Sequence, residues 1–67
     1  MNTAYKPTPG SELRRRRLAL GAQQKDVASK LGLTRISVYR IESKPEVPVL
    51  EARRYMEALA QIAQEPS

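Results

Sequence analysis

Residues 24–42 read QKDVASKLGLTRISVYRIE, and their spacing specifies two short helices and the turn between them. Val27, Ala28 and Leu31 recur at the spacing of one helical face, which predicts a short helix over 24–31 with these side chains turned inward. Gly32 breaks that helix, because glycine enters the left-handed backbone region without a Cβ penalty, and Leu33 sets an apolar residue inside the turn. Thr34 has the chemistry of an N-cap, its hydroxyl accepting from the free N–H groups of a following helix over 35–42. Within that helix Val38 and Ile41, at i and i+3, mark the inner face. Two short helices cross closely only where a small residue sits at the crossing, and Ala28 supplies it. Counted from Gln24, Ala falls fifth, Leu eighth, Gly ninth, Val fifteenth and Ile eighteenth. Any one of these matches is cheap, but all five together describe a tight helix pair whose second member is held outward.

Upstream of this pair, Thr8 followed by Pro9 predicts an N-cap and a proline at the first helical position, with Ser11 as an alternative cap. The stretch ELRRRRLAL then runs to Gly21, which suits the position just past a helix end. Leu13, Arg17 and Leu20 fall at i, i+4 and i+7, so an arginine interrupts an inward apolar stripe. Residues 1–7, with Tyr5 and Pro7, have no periodicity and read as a flexible arm. Downstream, the prolines of SKPEVP (residues 43–48) exclude a continuous helix. A fourth helix starts at Pro48 or Val49 and runs to Ala63. Its Val49, Ala52, Met56, Leu59 and Ala63 keep a 3-4-3-4 spacing, with Leu50, Tyr55 and Ile62 widening the apolar surface. Residues 64–67 read as a fraying C-terminal tail. With no period-2 alternation anywhere, the expectation is a compact all-α domain over 8–63, of four helices and at most a frayed fifth.

A chain of 67 residues holds one small domain, and such a domain buries only about 60% of its unfolded surface. It has no cysteine and no histidine, so disulfides, zinc sites and thiol or imidazole catalysis all lack their usual residues. The expectation is a non-enzymatic protein that needs no metal or cofactor. Twelve Lys and Arg against seven Asp and Glu leave a net charge of +5, which favours a polyanionic partner through counterion release. No apolar run approaches the ~18 residues of a membrane span. MNTAYKPTPG also lacks the apolar core of a secretory signal. These features predict a cytoplasmic, nucleoid-associated protein.

The run LRRRRLALGAQQKDVASKLGLTRISVYRIE resembles the lambda repressor/Cro family of helix-turn-helix domains, over roughly residues 9–60. The resemblance implies a bundle of four or five helices that binds double-stranded DNA, usually as a symmetric dimer. Two departures stand out. Glu42 is followed by Ser43, Lys44 and Pro45 where many members carry Asn-Gly, and few residues remain for a fifth helix. Both bear on how the chain dimerises rather than on DNA binding.

At about 100° per residue, Ile36 and Arg40 lie nearly opposite Val38 and Ile41, so they face outward. Arg35 suits a bidentate contact to guanine, and Ile36 suits a thymine methyl. Tyr39 and Arg40, one turn on, complete the expected base-contacting set, with a phosphate as the alternative partner for Tyr39. Gln23 and Gln24, at the start of the second helix, are expected at phosphates together with Ser37 and Lys44; in the family a Gln at the place of Gln24 contacts the DNA backbone. Of the consecutive arginines 14–17, at most two can face the duplex. Arg17 is expected instead to pair with Glu42, as in related family members; the competing reading puts Arg17 on a phosphate and Glu42 in water. Tyr55, Met56, Leu59 and Ile62 are assigned to a homodimer interface, the alternative being that this whole surface is core. The leading functional reading is a transcriptional regulator, most simply a repressor. A second is an antitoxin that binds a toxin protein and represses its own operon. A third, RNA binding, is disfavoured by three tyrosines and no Phe or Trp for base stacking.

Overall fold

In the computed structural model, which describes residues 7–65, four helices follow in order: α1 (Gly10–Ala19), α2 (Gln24–Leu31), α3 (Arg35–Ser43) and α4 (Val49–Gln64). The described residues contain no strand, only a single antiparallel bridge between Thr8 and Val47. The architecture is all-α. Leu13 of α1, Val27 and Ala28 of α2, and Val38 and Ile41 of α3 meet Ala52, Tyr55, Ala58 and Leu59 of α4 in one core. Leu31 and Ile62 pack at its edge. Each fully buried Leu or Val contributes about 1.5–3 kcal/mol from burial, so a handful of side chains carries this small domain.

The turn between α2 and α3 is set by backbone geometry. Gly32 takes a φ of +69°, and the N–H of Leu33 then reaches back to the Ala28 carbonyl at 2.9 Å. Thr34 is extended, and its Oγ1 accepts from the Ser37 N–H at 3.2 Å, which starts α3. Gly21, with φ +74°, turns the chain from α1 towards α2.

Several expectations from sequence are corrected at the ends of the elements. Thr8 does not cap α1: its backbone exchanges two hydrogen bonds with Val47 (3.2 and 2.7 Å), leaving Pro9 as the residue before the helix. Ser11 lies inside the helix. Leu20 has already left α1 as its C-cap and is 46% exposed, so the apolar stripe ends at Arg17. Gln64 belongs to α4, and the Glu65 side chain pairs with Lys30 of α2, so the tail begins later than the spacing implies. The arm assigned to residues 1–7 lies outside the described residues except for Pro7.

Within α4 the sequence offers two stripes, both passing through Ala52 and Leu59. Tyr55 is fully buried whereas Met56 is 36% exposed, so the helix is rotated to put Tyr55 in the core. The phenol explains the choice, because its ring fills the core while its hydroxyl reaches a buried acceptor on α3. Val47, in the loop before α4, is likewise fully buried, drawn in by its backbone pairing with Thr8.

Candidate nucleic-acid interface

The outer face of α3 is bare. Ile36 and Tyr39 are 61% and 60% exposed, and Arg35 and Arg40 beside them are exposed as well. Among the described residues neither of these arginines enters an ion pair, although Arg15, Arg16, Arg17, Lys30 and Lys44 all do. Two unpaired cations, an aromatic and a β-branched side chain thus share one helical face. The helix is held from behind by Val38 and Ile41 and capped at its start by Thr34.

Next to this face lies an open cleft of about 390 Å³ between the end of α1 and the start of α2. Gln23, Gln24, Lys25 and Arg35 line it, with Arg17 at its back. Gln23 is exposed, and its N–H donates to the Asp26 carboxylate at 2.8 Å. Gln24 is half-buried, and its Nε2 donates to Glu42 Oε1 at 3.2 Å. Ser37 is half-buried, with its hydroxyl 3.1 Å from that of Thr34. Lys44 stands apart from the cleft, its Nζ 2.8 Å from Glu51 Oε1. Of the arginine run, Arg15 and Arg16 pair with Glu12 on the solvated side of α1, Arg14 is exposed, and Arg17 turns inward.

Behind both surfaces sits a buried polar cluster. Arg17 Nε donates to Glu42 Oε2 at 2.7 Å and Nη2 to Oε1 at 3.1 Å, a bidentate pair joining α1 to α3. Arg17 Nη1 also donates to the Ala22 carbonyl at 3.0 Å, which ties in the loop before α2. The Tyr55 hydroxyl donates to Glu42 Oε2 from α4. With Gln24 added, four donors from three helices converge on one carboxylate, and among the described residues no buried side-chain polar atom lacks a partner. Tyr55, assigned from sequence to a dimer surface, is therefore a core residue. Its role was hidden because the spacing rule sees only an apolar ring; the clue lay in the hydroxyl, which needs a partner when buried. Lys25 as a lining of the cleft, and Glu51 as the partner of Lys44, were also missed.

Burial alone would push the Glu42 carboxyl up, but hydrogen bonds from Arg17, Tyr55 and Gln24 outweigh it and hold the group below its ordinary value near 4.5. The bond to Glu42 raises Arg17, and burial next to that carboxylate raises the Tyr55 phenol. A carboxyl depressed in the folded state adds stability above its unfolded pKa and loses it as pH falls through the folded one. The melting temperature is therefore expected to decline as pH drops below about 4.5. Glu42→Gln should flatten that decline, and an unchanged acid profile in this variant would show that Glu42 is not its source.

A family model described as Helix-turn-helix matches residues 13–62, spanning all of α2 and α3 and most of α1 and α4. The chain belongs to the helix-turn-helix family, in its lambda repressor/Cro type. This helix-turn-helix domain is accordingly a DNA-binding regulator of transcription, and its family is regulatory rather than enzymatic. No curated protein and no solved structure matches it significantly. No helix among its described residues is long and apolar enough to cross a membrane.

Proposed function

We propose that the domain is a sequence-specific repressor that lays α3 in the major groove of double-stranded DNA. The observation that carries this reading is the joint exposure of Arg35, Ile36, Tyr39 and Arg40 on a helix whose other face is locked into the core. Arg35 pairs with guanine O6 and N7, and Ile36 packs on a thymine methyl, while Tyr39 and Arg40 reach bases one turn on. The phosphate backbone runs over the adjacent cleft, where Gln23 and Gln24 offer amide N–H groups, and Ser37 meets it in a separate depression shared with Arg40 and Lys44. Lys44 joins at the far end by exchanging Glu51 for a phosphate, a small cost for a pair this exposed.

Selection of bound sequences from a random duplex pool tests the reading, with a palindromic consensus as the expected result. On the selected site Arg35→Ala should cost about 1–3 kcal/mol and relax preference at one base position. Gln24→Ala should weaken selected and unrelated duplexes alike. If Arg35→Ala lowered affinity equally on every sequence, Arg35 would be a phosphate contact and not a reader of bases.

A palindrome calls for two copies one DNA turn apart. Met56 and Leu59 line an open groove of about 340 Å³ with Leu20 and Ala63, and this surface supports a homodimer. Ile62 does not line this groove but is half-buried against the core, and Tyr55 takes no part. Sedimentation at tens of micromolar should report a dimer that Met56→Glu dissociates. A chain that stays monomeric even on DNA would leave the groove to a different protein, as the antitoxin reading requires.

A further inference from the structure

We infer that Glu42, backed by Tyr55, is a positioning residue for DNA binding: it holds the Gln24 side chain in its phosphate-contacting place before DNA arrives. The inference rests on the reading of Gln24 as a phosphate contact and adds what prepares it. Gln24 is the first residue of α2 and lines the basic cleft with Lys25 and Arg35. An unanchored glutamine at such a place samples many rotamers, and ordering it on a ligand costs affinity. Here Nε2 is already engaged with Glu42 Oε1, a buried carboxylate.

That contact also sets which end of the amide faces which way. A carboxylate only accepts, so the NH2 end of Gln24 must point at Glu42. One of its two N–H bonds is used there, and the second is left for another acceptor, which a phosphate oxygen supplies. The carboxylate itself cannot drift, since Arg17 grips both oxygens and Tyr55 holds Oε2. Its oxygens carry two donors each, which matches the roughly four lone-pair sites of a carboxylate. Gln61, exposed on α4, serves as an internal control, since Gln23 is itself held by a capping box in which its side chain accepts from the Asp26 N–H. The link gives the buried cluster a consequence beyond stability: a change in the core at Glu42 is felt at the DNA backbone.

Glu42→Gln separates the two roles. An amide offers one oxygen where the carboxylate offers two, and its NH2 end turns a donor towards the existing donors, so Gln24 is released. Duplex affinity should be measured at a temperature where every variant is folded, as a double-mutant cycle with Gln24→Ala. Glu42→Gln is expected to weaken selected and unrelated duplexes equally, by about threefold to tenfold. In the Gln24→Ala background it should cost no further affinity, while it lowers the melting temperature in both backgrounds. An equal affinity loss in both backgrounds would overturn the inference while leaving Gln24 as a phosphate contact. No loss from Gln24→Ala itself would remove that contact, and the inference with it. Side-chain amide relaxation in the unaltered, DNA-free protein gives a readout that needs no variant to fold. Gln24 should show an order parameter near rigid backbone, about 0.85, and Gln61 one below about 0.6. A Gln24 amide as mobile as that of Gln61 would overturn the inference directly.

Discussion

Arg17→Ala is expected to lower the unfolding free energy by about 3 kcal/mol, the lower end of what breaking one partner of a buried ion pair costs. The arginine side chain is 8% exposed and that of Glu42 only 2%, so solvent cannot replace the lost partner at small cost. Three hydrogen bonds disappear at once, two to Glu42 and one to the Ala22 carbonyl. The loss stays at the lower end because Tyr55 and Gln24 still donate to the carboxylate. For a chain of this size about 3 kcal/mol shifts the melting temperature by roughly 12–24 °C. Arg16→Ala is the natural control, since its pair with Glu12 is 53% and 29% exposed and such surface pairs contribute about 0–1 kcal/mol. Thermal denaturation of the two variants side by side makes the comparison. Equal midpoints would mean that the buried pair adds nothing a surface pair does not. Swapping both Arg17 and Glu42 for apolar residues, often harmless for a simple ion pair, should fail here because it strands the Tyr55 hydroxyl without an acceptor.

The second large effect is expected at Gly10. A Cβ built there would stand 2.5 Å from the carbonyl oxygens of Ile41 and Glu42, both backbone atoms in the last turn of α3. Neither can rotate aside, so Gly10→Ala must push α1 away from α3. That movement strains the hydrogen bond from Gly10 N–H to the Lys44 carbonyl, 2.9 Å, and the Thr8–Val47 bridge next to it. We expect a loss of about 3 kcal/mol, as for a clash that the backbone itself must relieve. Gly21→Ala provides the contrast. Its Cβ would meet nothing within 4 Å, and its cost comes only from a φ of +74°, about 1–2 kcal/mol. Urea denaturation of both variants tests the distinction. If Gly10→Ala proved no worse than Gly21→Ala, the close approach of α1 to α3 would be wrong.

Gly10 passes unnoticed in the sequence, whereas Gly32 is easily read, and the difference is instructive. Gly32 is needed for a local reason, the left-handed turn between two helices whose spacing is written on either side of it. Gly10 is needed because α3, some thirty residues away in the chain, lies against it. The same division runs through the candidate site. Ile36 and Arg40 are identified as outward by counting from Val38 and Ile41, with no knowledge of what α3 packs on, and Arg35 and Tyr39 flank them. Arg17 is conspicuous as a charge in an apolar stripe, and such a charge calls for a carboxylate. Which further groups share that carboxylate is not a local matter, and neither Gln24 nor Tyr55 signals it by spacing.

Helix α4 shows the limit most clearly. Its stripe through Met56 and its stripe through Tyr55 are equally regular, and periodicity cannot choose between them. The tertiary structure chooses Tyr55, because only there can the ring fill the core while its hydroxyl meets Glu42. Intervals of three and four residues and one left-handed glycine are enough to specify the helix pair of residues 24–42, its turn and its outward face. The rotation of α4, the contact that requires Gly10 and the fourfold grip on Glu42 each depend on which surfaces meet across the bundle, and no local spacing encodes that.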